Sequence, residues 1–196
     1  MAYPTNRKET MNNVIECIKS RRSQRSFKPE AVPRAALEAI LDAAIWAPSG
    51  MNAQPWRFTA ITRRGLIDRL EARIKESLLG SSVERLRAQA ARPGSAFYYG
   101  APAVVIASGE SDGPTSGPDC ALGLQNMMLA AQSLGIGSCW VHAPTRLAEG
   151  SETAALRAEL GIPASHAIFG SIALGYAAGP APSAPARKAG CTAIIE

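Results

Sequence analysis

One segment of the chain, residues 121–134, is apolar on nearly every face that a helix would present. It follows a Pro- and Gly-rich stretch at 111–118, which predicts a loop, and either Gly135 or Gly137 is expected to end it. Because a helix without a polar face cannot lie on a protein surface, this one is expected at the centre of the fold or at an obligate interface. Polar residues such as Gln125 interrupt the run, which argues against a membrane-spanning helix.

Shorter patterns predict the other elements. Periodic apolar residues predict helices at about 13–20, 33–47, 66–79, 83–91 and 151–161. A run rich in β-branched residues predicts a buried strand at 101–108, and further strands are expected at 57–62, 138–141 and 167–176. Asn12 or Asn13 is expected to cap the first helix, Pro33 to open the second and Ser151 to cap the last. Because helices and strands alternate irregularly and no segment repeats, the predicted fold class is α+β.

Length and composition limit the class of protein. The 196 residues, 46 % of them apolar, can bury one full core, so residues 1–196 are expected to form a single domain. No basic head precedes a continuous apolar stretch, which predicts a soluble cytoplasmic protein without a membrane partner. The four cysteines are widely spaced, so we expect free thiols and no metal site. A net charge of +5 fits nucleic-acid binding or anionic ligands and decides little.

The motifs of several common enzyme classes are absent. The sequence has no GxGxxG after a strand, no GxxxxGK[ST] loop, no HExxH and no GxSxG. Its two histidines, His142 and His166, do not neighbour a plausible nucleophile in the sequence, so a catalytic triad would need distant contacts. Hydrolase and nucleotide-hydrolase functions are therefore disfavoured.

A cluster of arginines in "SRRSQRSF", residues 20–27, is the clearest candidate site. Arg21, Arg22 and Arg25 surround Ser23, and guanidinium groups with a hydroxyl suit a phosphate. Alternate residues of an extended segment face the same way, so two of the three arginines are expected to share a target. The alternative is a solvated basic turn at a helix C-terminus, where cations are favoured in any case.

Together with three other segments, this cluster resembles the nitroreductase family of FMN-dependent oxidoreductases. The other segments are "WAPSGMNAQPWRF" at 46–58, "CALGLQNMMLAAQSLGIGSCWV" at 120–141 and "LGYAAGPAPSAPARK" at 174–188. The resemblance covers about 14–188 in family order. It implies an α+β nitroreductase-like fold with a central mixed or antiparallel sheet flanked by helices. It also implies an interlocked homodimer that binds FMN in a groove between its subunits.

The resemblance further implies which residues hold the cofactor. The phosphate and the pyrimidine edge would contact Arg21, Arg22, Ser23 and Arg25. The loop that reaches FMN from the partner subunit would consist of Pro48, Ser49, Gly50, Met51 and Asn52, with Gln54 beside it. Arg187, or Lys188 one position later, would return to the phosphate from a C-terminal extension at about 177–196 that packs on the partner subunit.

The segment after the strand at 138–141 would face the flavin ring. There the resemblance places the backbone N–H groups of His142 and Ala143 opposite N5 and O4. Many family members have an acidic residue and a glycine at these positions, and His142 could equally be a surface histidine. The aromatic residues that could wall the substrate pocket, or belong to the core instead, are Trp140, Phe97, Tyr98 and Tyr99.

The function implied by the resemblance is a reductase cycle. NADH or NADPH would give a hydride to N5 of FMN, and a flat conjugated acceptor such as a nitroaromatic or a quinone would take the electrons. No side chain is then needed as a catalytic residue. Arg22 or Arg25 is expected to stabilise the reduced flavin by its charge near N1 and O2.

Three alternatives remain open from the sequence. Family relatives use related chemistry for reductive dehalogenation, flavin breakdown or dehydrogenation of heterocycles. The chain could also bind FMN without turnover. A nucleic-acid-binding module is disfavoured, because the arginines lack the interleaved aromatic residues that single-strand binders use.

Overall fold

The structure is a computed structural model that describes residues 12–195. Its helices are α1 (Asn13–Ser20), α2 (Arg34–Ile45), α3 (Arg64–Leu79), α4 (Glu84–Ala91), α5 (Ser116–Ser133) and α6 (Ser151–Glu159). Its strands are β1 (Trp56–Ile61), β2 (Ala103–Glu110), β3 (Gly137–Val141) and β4 (His166–Gly175). Short 3-10 helices lie at Gly50–Asn52 and Ala143–Arg146. The predicted domain of residues 1–196 also includes residues 1–11 and 196, which lie outside the described residues.

The four strands of the described chain form one antiparallel sheet in the order β1-β2-β4-β3. Alternate residues of β2 point to opposite faces, so Val104 and Ile106 join one hydrophobic cluster while Val105 and Ala107 join the other. Every residue of strand β2 except the last, Glu110, is buried, because helices cover both faces of the sheet. The α+β class is therefore confirmed, and the sheet is antiparallel rather than mixed.

Two helical layers enclose this sheet. Helix α3 lies on one face with α6, and its residues Ile67 and Leu70 are fully buried there. Helices α2 and α5 lie on the other face, where Ile40, Leu124 and Met127 are fully buried. Helices α2 and α3 each bury one apolar stripe, as their periodic patterns predict.

Helix α5 is the buried helix that the sequence predicts, and it packs against all four strands. It begins at Ser116, so the predicted loop at 111–118 is wrong over its last three residues. Pro118 is tolerated in the first turn, because N–H groups there have no partner within the helix. After the helix, Gly135 adopts a φ of 71°, a left-handed conformation that favours glycine and turns the chain towards β3.

The starts of the other helices agree with the sequence in part. The Asn12 side chain accepts a hydrogen bond of 3.0 Å from the Ile15 N–H and caps α1. Pro33 directly precedes α2 and is not its first residue. Ser151 does not cap α6 but is its first helical residue. That prediction is wrong because Gly150, with a φ of 152°, already occupies the capping position.

Several apolar residues remain on the surface of the single chain. No residue of α1 is buried, and its Val14 is 63 % exposed. Trp46, after α2, is 79 % exposed, and Met51 is fully exposed. Residues 178–195 are all exposed as well. Among residues 12–195, none of the helices combines the length and the apolar character needed to cross a membrane.

Candidate functional site

The basic segment at 20–27 is an extended strip that is fastened to the edge of the sheet. The Gln24 N–H donates to the Ser138 carbonyl at 2.9 Å, which joins the strip to β3. The Lys28 N–H donates to the Tyr176 carbonyl at 2.8 Å, and the Ala178 N–H donates to the Ser26 carbonyl at 3.1 Å. These bonds hold the strip between β3 and the chain that leaves β4, so its side chains alternate between two faces.

One face of the strip carries Arg21, Ser23 and Arg25. All three interact with the thiol of Cys139 on β3. Burial raises the pKa of this thiol, while the charges of Arg25 and Arg21 and a hydrogen bond from Ser23 oppose the rise. The Nη1 atom of Arg21 is buried and has no hydrogen-bond partner among the described residues. A buried guanidinium nitrogen without a partner is unfavourable in the free chain and suits an anionic ligand.

Arg22 lies on the other side of the strip. Its Nη1 donates to the carbonyl oxygens of Lys19 and Arg21, both at 2.7 Å. Arg22 therefore binds the C-terminal end of α1, where free carbonyl groups attract a cation. The structure brings together Arg21, Ser23 and Arg25, as alternation predicts, and places Arg22 apart from them.

The loop after α2 has a strained backbone. Met51, Asn52 and Gln54 have φ values of 53°, 55° and 48°, in a region that costs a non-glycine residue about 1–2 kcal/mol. The Gln54 N–H donates to Ser49 Oγ at 3.0 Å, and the Gln54 side-chain amide donates to Asn52 Oδ1 at 3.1 Å. Such conformations concentrate at ligand sites. The sequence-predicted residues of this loop thus form one hydrogen-bonded unit, with Pro48 at its start.

Asp119 of α5 anchors this loop. Its two carboxylate oxygens accept from the Gly50 N–H at 3.2 and 3.3 Å, and Thr115 Oγ1 donates to the same carboxylate at 2.8 Å. Asp119 is only 4 % exposed. Neither Asp119 nor Thr115 was predicted, because Thr115 falls in the expected loop at 111–118 and Asp119 lies between that loop and the helix expected at 121–134. An aspartate two residues before a predicted buried helix was the available signal, since a carboxylate is favoured near a helix N-terminus and needs donors when it is buried.

The end of β3 opens into a cavity of about 350 Å³. His142 is exposed and Ala143 begins the 3-10 helix, so the Ala143 N–H has no partner within that helix. The lining residues are Leu78, Val83, Arg85, Leu86, Gln89, Phe97, Tyr99, Trp140, Val141, His142, Ala143 and Arg146. Of the four aromatic residues considered as pocket walls, Tyr98 instead lies fully in the core. Burial raises the pKa of its hydroxyl, which hydrogen-bonds to Ser171.

Tyr99 connects this cavity to the basic strip. Its side chain lines the cavity, and together with Arg25, Ser23 and Arg21 it opposes the rise in the pKa of the Cys139 thiol that burial causes. Its φ of 56° is a rare conformation for a bulky residue. The cationic face of the strip and the aromatic cavity are therefore adjacent parts of one groove along β3.

Other predicted residues lie elsewhere in the single chain. Arg187 and Lys188 are exposed in the C-terminal arm, residues 177–195. Within residues 12–195, no ion pair or hydrogen bond joins either of them, or the loop at 48–54, to the basic strip. Their predicted contacts with a cofactor would require the partner subunit and remain predictions.

His166 takes part in a contact that resembles a catalytic triad. Ser108 Oγ lies 3.2 Å from His166 Nδ1, and Glu110 Oε1 lies 3.4 Å from His166 Nε2. Ser108 is only 1 % exposed, so its hydroxyl cannot reach a substrate. The arrangement satisfies buried polar groups, and a hydrolase is no better supported than it was from the sequence.

The fold and the groove define a class of protein: an α+β sandwich with a cationic strip and an aromatic cavity along one strand. A profile of the nitroreductase family matches residues 18–176. The chain belongs to the nitroreductase family.

Known proteins agree with this assignment. A nitroreductase from Bacteroides fragilis, solved with bound FMN, superposes with a TM-score of 0.89 at 39 % identity, over 95 % of this chain and all of that one. A protein of Methanothermobacter thermautotrophicus, provisionally named NADH dehydrogenase/NAD(P)H nitroreductase, is 30 % identical over 85 % of this chain and 78 % of its own. An iodotyrosine deiodinase from Thermotoga neapolitana is 31 % identical over 65 % of this chain and 73 % of its own.

Proposed function

We propose that the chain is an FMN-dependent oxidoreductase that uses NADH or NADPH to reduce a flat conjugated acceptor, such as a nitroaromatic or a quinone. Family membership supports an oxidoreductase, and the Bacteroides fragilis relative binds FMN. The name of the archaeal relative supports a nicotinamide donor. FMN would supply the two-electron chemistry, and the protein would supply position and charge.

The observation that carries this proposal is the unpartnered Nη1 of Arg21 beside Ser23 and Arg25. Guanidinium groups held close together repel one another unless an anion lies between them. The FMN phosphate carries the charge and the acceptor oxygens that such a face requires. Arg22 donates to backbone carbonyls, so its proposed role is to hold the strip at the end of α1.

The remaining proposed contacts divide between the flavin ring and the partner subunit. The Ala143 N–H, beside His142, is proposed to donate to the ring at the mouth of the cavity. Pro48, Ser49, Gly50, Met51, Asn52 and Gln54 are proposed to reach the cofactor of the partner. Arg187 or Lys188 is proposed to reach the cofactor of the partner from the C-terminal arm. This arm begins beside the basic strip, and its residues 178–195 are exposed.

A homodimer would explain the exposed apolar surface. Val14 and Ile18 of α1 are 63 % and 50 % exposed. Trp46, just before the strained loop, and Met51, within it, are exposed as well. Ile195, near the end of the arm, is 96 % exposed. Burying such residues stabilises association by about 25 cal/mol for each Å² of apolar surface removed from water.

Spectroscopy of the purified protein tests the proposed function. We expect a yellow protein with the visible spectrum of oxidised flavin, bleached by NADPH or NADH without oxygen and restored by a quinone or nitroaromatic. A colourless preparation that does not take up added FMN would contradict the proposal. Bound FMN that neither nicotinamide bleaches would indicate a binding protein without turnover. Size-exclusion chromatography should give the mass of a dimer.

Reductive deiodination is a second candidate, supported by the similarity to the Thermotoga neapolitana deiodinase. That match covers less of this chain than the match to the archaeal relative does. Release of iodide from iodotyrosine by the dithionite-reduced protein would favour this candidate. Turnover of nitroaromatics without iodide release would favour the first.

A further inference from the structure

The cavity beside Ala143 has an unusual charge for its position. Two of its twelve lining residues are arginines, Arg85 and Arg146, and none is acidic. The arginines come from different elements, since Arg85 lies in the first turn of α4 and Arg146 ends the 3-10 helix after β3. The chain therefore brings two positive charges to one small cavity from separate positions in the sequence.

Neither arginine is neutralised by the protein. In the described chain, the side chains of Arg85 and Arg146 are exposed and have no ion pair and no hydrogen bond. Arginines of the neighbouring helix α3 behave differently: Arg69 contacts Glu159 at 2.6 Å, and Arg73 contacts Glu152 at 2.8 Å. Acidic residues are thus available in this layer but are not placed at the cavity.

The walls of the cavity suit a planar ring. Phe97, Tyr99 and Trp140 contribute aromatic surface, and Leu78 and Leu86 contribute aliphatic surface. A volume of about 350 Å³ falls at the small end of ordinary ligand pockets, which matches a compact molecule rather than a dinucleotide. An aromatic slot with guanidinium groups beside it can recognise a ring and an anionic substituent together.

We propose that this cavity binds the acceptor, and that the acceptor is a compact aromatic molecule bearing a carboxylate, which Arg85 and Arg146 recognise. The inference rests on the proposed function only in calling the ligand an acceptor. Binding of a carboxylate-bearing ring can be measured without turnover, so the two proposals fail separately.

The first test compares two probes of nearly equal shape, 4-nitrobenzoate and 4-nitrobenzamide. Their binding to the full-length protein as purified is measured by isothermal titration calorimetry, without a nicotinamide. Because a charge-assisted hydrogen bond contributes about 1.5–3 kcal/mol, the wild-type protein should bind the acid at least about tenfold more tightly than the amide. A ratio below about twofold would overturn the proposal.

The second test assigns the preference to the two arginines. In R85Q/R146Q the acid-to-amide ratio should fall to near one while binding of the amide stays the same. The control R87Q removes one positive charge from α4, the helix of Arg85, at a residue that donates to the Ser81 carbonyl and does not line the cavity. Its ratio should equal that of the wild type. An unchanged ratio in R85Q/R146Q, or an equal loss in R87Q, would overturn the assignment.

Turnover separates this acceptor role from recognition of the NADPH phosphate, which is also an anion. With 4-nitrobenzamide as acceptor, R85Q/R146Q should keep the wild-type KM for NADPH, and with 4-nitrobenzoate the KM for the acid should rise about tenfold with little change in kcat. A rise confined to the KM for NADPH would show that the arginines serve the donor and would overturn the proposal. A protein that binds the acid preferentially but lacks flavin would contradict the proposed function alone.

Discussion

The arginines of α3 and those of the basic strip at 20–27 face very different surroundings. Along α3, Arg64 contacts Asp68 at 2.5 Å, Arg69 contacts Glu159, and Arg73 contacts both Glu76 and Glu152. In the strip, no carboxylate of residues 12–195 lies within ion-pair distance of the arginines. Nη1 of Arg21 is buried there without any partner. On α3 the buried Nε of Arg73 also lacks a partner, but Nη1 of Arg73 contacts Glu76 and Glu152.

This difference separates structural charge from charge kept for a ligand. Ion pairs on α3 hold that helix against α6, and each exposed pair contributes little to stability. The strip gains nothing from like charges that stand close together in the free chain. Its arginines make physical sense when an anion joins them, so we expect substitutions in the two regions to alter different measurable quantities.

The largest contrast should come from removing both facing arginines of the strip. R21A/R25A should raise the Kd of FMN by at least about 100-fold, because two charge-assisted hydrogen-bond donors are lost. R69A removes one positive charge from α3, away from the strip, and should leave this Kd unchanged. Fluorescence titration of the flavin-free protein with FMN measures both. A rise of less than about threefold in R21A/R25A would remove the distinction between the two regions.

The next effect compares a glycine of the anchored loop at 48–54 with a glycine of α3. At Gly50 an added Cβ would lie 2.5 Å from Thr115 Oγ1 and 2.8 Å from Thr115 Cγ2, so either the loop or the Thr115 side chain that binds Asp119 must move in Gly50→Ala. We expect the FMN Kd to rise about tenfold, since about 1.4 kcal/mol of positioning is lost. At Gly65 in α3 an added Cβ meets nothing within 4 Å.

The control Gly65→Ala should therefore keep the FMN Kd and raise the free energy of unfolding by up to about 1 kcal/mol, because alanine favours a helix. Equal FMN affinities in the two alanine variants would show that the Gly50 loop does not contribute to the cofactor site.

Within α3 the partly buried arginine should matter more than the exposed one. The Arg73 side chain is 19 % exposed and reaches Glu76, Glu152 and Thr153. Arg73→Ala should lower the free energy of unfolding by about 1–2 kcal/mol through lost packing and hydrogen bonds. Arg69→Ala, at a side chain that is 57 % exposed, should lower it by less than about 0.5 kcal/mol. Urea denaturation measures both, and equal losses would contradict this ranking.

The smallest expected effect is a difference between two thiols at alkaline pH. Burial raises the pKa of Cys120 to about 12 from an ordinary value of 9.0. Above pH 9 the unfolded chain loses this proton while the folded chain keeps it, so stability falls as pH rises from about 9 to about 12. The slope for one such group is about 1.4 kcal/mol per pH unit.

Urea midpoints at pH 8 and pH 10 test this difference. The urea midpoint of Cys120→Ser should fall less between the two pH values than the urea midpoint of the wild type does. Cys139→Ser should change the slope less, because Arg25, Ser23 and Arg21 oppose the rise in pKa that burial causes at Cys139. Identical slopes in the wild type and Cys120→Ser would contradict the assignment of the alkaline loss to Cys120.

Most of the fold follows from local patterns in the sequence. The buried helix α5 and the strand β2 were predicted from periodicity and side-chain chemistry, and Asn12 was one of the two residues expected to cap α1. The errors fall at boundaries, where α5 begins at Ser116 and Gly150 replaces Ser151 as the residue before α6. There proline and glycine act through backbone conformation, which a hydrophobic pattern does not report.

The candidate site was only partly predictable. Alternation along an extended segment predicted that two arginines share a face, and the structure places Arg21 and Arg25 there with Ser23. It did not show that Arg22 would bind the end of α1, which depends on where that helix stops. The contact of Asp119 with Gly50 was not predicted, because it joins residues 69 positions apart in the sequence. The roles of His142, Ala143 and Arg187 at a cofactor remain predictions.

The sequence by itself determined which residues could serve this protein: an α+β set of elements, a helix that must be buried and a group of arginines suited to a phosphate. These follow from neighbours along the chain, whose side chains and backbone preferences act over a few residues. Only the tertiary structure decided that Arg21 lacks a partner, that Asp119 holds the strained loop and that Arg85 and Arg146 meet at one aromatic cavity. Such contacts depend on the packing of distant segments, and packing is set by the three-dimensional fit of the whole core.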